Sequence, residues 1–336
     1  MCIRDRPWVA STVFSLNSHN YHIMKSITRI ILSLAFLLVA STIHAQQLNK
    51  TFSGIEQIEI STGSSDCIVK KGTSNEVNVR LDHTRGDSYT PMVEKSGSKL
   101  LISEKNQKGS NRGEATWTLT IPDNLELSFN TGSGDFEASN LKIQLSLNAG
   151  SGDFEMKGIQ GSLSSNAGSG DLEVDNFEGE IAVNVGSGDL EIANATGKIS
   201  LNSGSGDIEL SVVDGAIEAN VGSGDVEADR ISLAGASRFN SGSGDVSVVL
   251  SDSPEHDISV NSGSGDSELD FNGHEVNATV IMTANKRNGS IDAPFPFDKQ
   301  EEIERNGQTI MKKTAKLGSG GIEIKIGTGS GDASIK

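Results

Sequence analysis

Between Gly132 and Asp266 the four residues Gly-Ser-Gly-Asp recur eight times, beginning at Gly132, Gly150, Gly168, Gly186, Gly204, Gly222, Gly242 and Gly263. The first five intervals are 18 residues long, and the next two are 20 and 21. A short fixed period means units that stack on their neighbours. In the unit GSGDLEVDNFEGEIAVNV from Gly168, Leu172 and Val174 alternate with acids, which is strand periodicity. The fifth residue of successive units is Phe136, Phe154, Leu172, Leu190, Ile208, Val226 and Val246, with Ser267 breaking the row. The seventh is Ala138, Met156, Val174, Ile192, Leu210, Ala228, Val248 and Leu269. Both rows are expected to face inward. A second strand carries Leu145 and Leu147, Ile181 and Val183, or Ile199 and Leu201. Between the two strands Gly161, Gly179, Gly197 and Gly215 mark a bend. Each coil thus reads as two short strands and two bends.

The expected fold is all-β: a single-stack parallel β-solenoid (β-helix) with coils of about 18 residues. Eighteen residues is also about five turns of helix. Two glycines in three residues, each costing about 1 kcal/mol in a helix, exclude that reading. The chain is 35% hydrophobic and only 4% aromatic, too little for a thick globular core and enough for a narrow interior. Length alone suggests two domains, but the repeat overrides it.

The outward rows are the most regular. An Asn stands two residues before each of these eight GSGD strings: Asn130, Asn148, Asn166, Asn184, Asn202, Asn220, Asn240 and Asn261. Stacking places these amides roughly 4.8 Å apart, where each can donate to the next, so they read as a structural ladder. The GSGD aspartates, Asp135, Asp153, Asp171, Asp189, Asp207, Asp225, Asp245 and Asp266, form an acidic row. A second row holds Glu137, Glu155, Glu173, Glu191, Glu209, Glu227 and Glu268, with Ser247 as its gap. Those eight aspartates are the calcium candidates, because calcium β-rolls use Gly- and Asp-rich nonapeptides. Only half of each coil is of that type. The other half, such as IQGSLSSNA from Ile159, lacks the aspartates that would complete a cage of six or more oxygens. The plainer role for these carboxylates is to accept backbone N–H bonds in the turn. No metal or cofactor is therefore expected.

The chain divides into five parts. Residues 1–23 carry no export logic and are set apart as a non-native upstream extension. Residues 24–45 read as a signal peptide: Lys25 and Arg29, then the apolar run Ile30 to Ala40, then small residues up to a cleavage site after Ala45. Residues 46–129 read as irregular β coils and a cap, 130–284 as the regular GSGD solenoid, and 285–336 as C-terminal coils with a loop or hairpin excursion at 294–316. No later stretch is apolar enough for a transmembrane helix.

Removing residues 1–45 takes away four basic residues and one acid, which moves the net charge from −17 to −20. That charge argues against nucleic acid and anionic membrane surfaces as partners. Beyond the leader the only cysteine is Cys67, in the slot where later units place Phe, Leu or Ile, so it reads as a small buried side chain. His83, His256 and His274 are far apart in sequence and belong to no motif, and no Ser-His-Asp logic is visible. No Lys-Ser or Lys-Thr follows any GSGD, which excludes a phosphate loop.

The entry string ATWTLTIPDNLELSFNTGSGD and the ending GSGGIEIKIGTGSGDASIK resemble a bacterial family of candidate adhesins with GSGD-type β-strand repeats. That family is a domain of unknown function akin to the head (GIN) domains of autotransporter adhesins. The resemblance spans roughly residues 50–336, implies the repeat fold, and brings no catalytic residues with it. The resulting expectation is a noncatalytic exported scaffold of the periplasm, outer surface or extracellular space, binding an envelope protein or glycan. The alternative is a periplasmic partner in envelope-stress sensing. A calcium β-roll and a polysaccharide-acting β-helix enzyme rank lower.

Overall fold

In the coil from Gly168 to Val185, six side chains turn inward: Leu172, Val174, Phe177, Ile181, Val183 and Val185 are all buried. Their period-2 spacing slips once, where Asp175 and Asn176 both face out. Asn176 has φ 59°, so the chain turns there through the left-handed region that Asn tolerates. The same position holds Asn140, Gly158, Asn194, Val212 and Arg230 in neighbouring coils, all with positive φ. This bend adds to the two expected at Gly179 and at the Gly-Ser-Gly corner. Its changing residue type hid it, since Val and Arg are poor left-handed residues. Gly179 has φ 138°, and a Cβ on Gly197 would run into the carbonyl oxygen of Gly179 one coil away. That glycine column is therefore required twice over, by conformation and by close approach.

The computed structural model describes residues 46–86, 89–106 and 113–336; the leader read at 24–45 and the extension before it lie outside them. At the N-terminal end the strands are β1 (Gln46–Ser53), β2 (Gln57–Thr62), β3 (Asp66–Lys71), β4 (Glu76–His83), β5 (Tyr89–Ser96), β6 (Lys99–Asn106), β7 (Ala115–Ile121) and β8 (Leu125–Thr131). The regular coils are β9 (Phe136–Ser151), β10 (Phe154–Ser169), β11 (Leu172–Ser187), β12 (Leu190–Ser205) and β13 (Ile208–Ser223). Then come β14 (Val226–Leu233), β15 (Ser237–Ser241), β16 (Val246–Leu250), β17 (Ile258–Ser262) and β18 (Ser267–Asp270). The C-terminal strands are β19 (Ala278–Asn285), β20 (Ile291–Asp292), β21 (Lys299–Arg305), β22 (Gln308–Lys316), β23 (Ile322–Thr328) and β24 (Ala333–Ile335).

Pairing through the middle is parallel and in register. Leu172 stands beside Leu190 and Leu190 beside Ile208, 18 residues on each time. The step widens where the repeat does, from Val226 to Val246 and from Val246 to Ser267. This is a parallel β-solenoid. Ser267, the break in the inward row, is fully buried and its hydroxyl donates to Gly327 O at 2.9 Å.

Both ends abandon chain order. The coil β2–β3 lies between β8–β9 on one side and β6–β7 on the other, so Cys67 sits between Phe136 and Trp117. At the other end the last coil, β23–β24, slots between β17–β18 and the earlier β19–β20. Antiparallel strands close each end: β1 on β4, β4 on β7 and β5 on β6 at one, and β22 on β19 with β21 outermost at the other. Such covers protect a stack whose open edges would pair with other chains. Pro91 in β5 and the charged run of β21 blunt the edges that remain. Among the described residues no helix is long and apolar enough to cross a membrane.

Candidate functional site

The outward faces carry three long rows. In the aspartate row each carboxylate accepts the backbone N–H of the aspartate one coil further on. Asp153 N donates to Asp135 Oδ1 at 2.9 Å, Asp171 N to Asp153 at 2.9 Å, and Asp189 N to Asp171 at 2.9 Å. The series continues through Asp207, Asp225, Asp245 and Asp266 at 2.7 to 2.8 Å. It extends past the repeat at both ends, to Asp66 and to Asp332, whose Oδ1 accepts Ser290 N at 2.7 Å. The bonds run between coils rather than within one turn. Among the described residues no group of three or more His, Cys, Asp or Glu side chains is arranged to hold a metal ion.

The glutamate row runs in register beside it, from Glu137 through Glu155, Glu173, Glu191 and Glu209 to Glu227. These side chains are exposed, and like charges at strand spacing repel. Salt screens them over a Debye length of about 8 Å at physiological strength. A thermal melt should therefore rise with added NaCl and stay unchanged when chelator is added at constant ionic strength. Collapse of the β signal with chelator alone, restored by calcium, would reassign the aspartate row as a calcium site.

The third row is uncharged. Asn148 Nδ2 donates to Asn130 Oδ1 at 3.1 Å, and six further amide pairs follow at 2.7 to 3.3 Å, ending with Asn261 on Asn240. Beside it runs a row of small side chains in register: Ser128, Ser146, Ser164, Ala182 and Ser200. Further along, Glu218 and Arg238 replace them. Amides and short hydroxyls on a parallel sheet make a flat strip of hydrogen-bonding groups, roughly 34 Å long for eight rungs.

The same repeat carries the family assignment. The family model described as Toastrack DUF4097 matches residues 55–293, well over half of the chain. The chain belongs to this family. Among solved structures, the chain is similar to a candidate cell adhesion protein from Clostridium sporogenes ATCC 15579, at 15% identity over 87% of this chain and 99% of the other, with a TM-score of 0.22. A candidate adhesin from Bacteroides fragilis NCTC 9343 is 13% identical, covering 87% and 97%, with a TM-score of 0.31. A candidate lipid-binding protein from Parabacteroides distasonis ATCC 8503 is 15% identical, covering 87% and 98%, with a TM-score of 0.39. No curated protein matches the chain.

The N-terminal end of this Toastrack domain holds a polar network that the sequence reading passed over. Arg85 and Glu104 form an ion pair at 3.4 Å with side chains 2% and 0% exposed. Glu104 Oε1 accepts Tyr89 Oη at 2.6 Å and Trp117 Nε1 at 2.8 Å. Arg85 donates to Ser64 O at 2.8 Å and to Gly113 O at 3.3 Å, and lies over the Tyr89 ring. Burial first, then Glu104, push the Tyr89 hydroxyl above its ordinary value. The signal was parity. Glu104 continues the inward series Leu100 and Ile102, and Arg85 continues Val77, Val79, Leu81 and His83. A charge at an inward position needs a partner.

The remaining candidates are dispersed. Cys67 is fully buried, and burial pushes its thiol up, away from the reactive thiolate. His83 is buried edge-on to Tyr89, while His256 and His274 lie in separate connections between strands.

Proposed function

We propose that this Toastrack domain is a noncatalytic, exported scaffold of the cell envelope whose uncharged ladder strip binds an envelope glycan or protein. The observation that carries the reading is the strip itself: eight amide rungs, the first five of them beside the small side chains Ser128, Ser146, Ser164, Ala182 and Ser200. The neighbouring acidic rows exclude anionic surfaces from the other side of the coil. The strip offers donors and acceptors at a fixed repeat, which suits a partner that is itself periodic. Stability of the stack does not require those serines, since their side chains point outward.

The test is retention of the full chain on immobilised envelope polysaccharide and on purified envelope proteins. The variant Ser146→Tyr/Ser164→Tyr/Ser200→Tyr raises bulk from the flat strip and leaves the interior untouched. It should melt as the wild type does and lose retention. Undiminished retention by a folded variant would end this reading.

A further inference from the structure

The Asn ladder stops at Asn261. One coil on, its position is held by Gly327, and beyond that by Thr283. Asn261 Nδ2 donates backward to Asn240 Oδ1 at 3.1 Å and to Ser259 Oγ at 2.8 Å. Its oxygen therefore faces forward: a Cβ on Gly327 would stand 3.0 Å from Asn261 Oδ1 and 2.8 Å from Thr283 Oγ1. Two polar atoms thus flank a bare glycine. Seven head-to-tail amide bonds lead up to that oxygen, and chained hydrogen bonds polarise one another, which strengthens the terminal acceptor.

The notch opens into a groove of about 440 Å³, walled by the tip of the β21–β22 hairpin through Ile303, Arg305 and Gln308. Ile303 is 43% exposed, and among the described residues only Val212 is another large apolar side chain so open. The hairpin region also reverses the charge of the molecule. Residues 286–316 contain seven basic and five acidic residues, whereas the chain as a whole carries −17.

We infer that this groove is a binding subsite for the end of a carboxylate-bearing saccharide. A sugar hydroxyl above Gly327 donates to Asn261 Oδ1 and accepts from Thr283 Oγ1. The C–H face of the ring packs on Ile303, and the Arg305 guanidinium takes the carboxylate, the planar acceptor it matches best. The acidic rows repel a polyanion along most of the coil, so it is directed to this one pole. The subsite adds to the ladder-strip reading and does not depend on it.

Titration calorimetry of the full chain with hexagalacturonate, and with neutral cellohexaose as comparison, tests the inference. Hexagalacturonate should bind at least ~10-fold more tightly than cellohexaose, a difference of about 1.4 kcal/mol. Arg305→Gln, which removes the charge without lowering the melting temperature, and Gly327→Ala, which stays folded while its Cβ closes the notch, should each weaken hexagalacturonate by ~10-fold or more. The Ser146→Tyr/Ser164→Tyr/Ser200→Tyr variant should bind it as the wild type does. Absence of binding at millimolar hexagalacturonate, equal affinity for cellohexaose, or folded groove variants that bind normally would each overturn the subsite. If only the strip variant lost binding, the strip would stand as the binding surface and the subsite would fall.

Discussion

Leu190→Asp should unfold the middle of the stack, with a loss of about 4 kcal/mol or more in a urea titration followed by far-UV circular dichroism. Leu190 is 1% exposed and sits in register between Leu172 and Ile208. A carboxylate there has apolar neighbours above and below and no cation in reach along its row. Charging it in the interior costs far more than the lost packing alone. Because each coil is stabilised mainly by its neighbours, damage at one coil removes two interfaces. Glu191→Ala, one residue on, should stay within about 0.5 kcal/mol of wild type. It removes one member of a like-charged row, so any change should be a slight gain at low salt. Equal losses in the two variants would mean that the inward and outward assignment of this strand is wrong.

Breaking the Arg85–Glu104 pair should be the largest single effect at the N-terminal end. Arg85→Ala leaves Glu104 buried without a cation, which should cost about 3–5 kcal/mol. Glu104→Leu should cost a similar amount, because it strands the Arg85 charge together with the Tyr89 and Trp117 donors. The double variant Arg85→Met/Glu104→Leu should be less destabilised than the two singles summed, since neither charge is then left alone. The readout is built in. Trp117 is the only tryptophan after Trp8, and its ring lies in this network. In the single variants its fluorescence should change at lower urea than the circular dichroism of the central coils, because the cap opens before the stack. Coincident transitions at the wild-type midpoint would show that the pair contributes nothing to the cap.

Much of this molecule is local and therefore visible along the chain. A strand shows its two faces with period 2, so Leu172 and Val174 are inward and Glu173 outward whatever the partner. A repeat of 18 with an Asn and an Asp at the same two places in every unit permits a single register in which like stands on like. That register brings Asn148 to Asn130 and Asp153 to Asp135. Even the buried charges Arg85 and Glu104 were marked by parity as inward. What parity could not say was that they meet, because Arg85 lies just past the end of β4 and Glu104 in β6, two segments whose placement does not follow chain order.

The two ends were decided by tertiary structure alone. Gln57 pairs with Lys99 on one side and Glu126 on the other, and Ile258 pairs with Ile324 across the whole of β19 to β22. Nothing in the local pattern of β2 or β23 distinguishes an outer slot from an inner one, since both bury one face and expose the other. The choice depends on which neighbours cover more apolar surface once all coils compete for the same slots. The notch at Gly327 follows from that choice. A glycine in a strand has no meaning of its own until intercalation of the last coil sets it between Asn261 and Thr283. The repeat by itself determined the coil, the core rows and the ladders; the order of the terminal coils, and the ion pair and groove they create, came only from long-range packing.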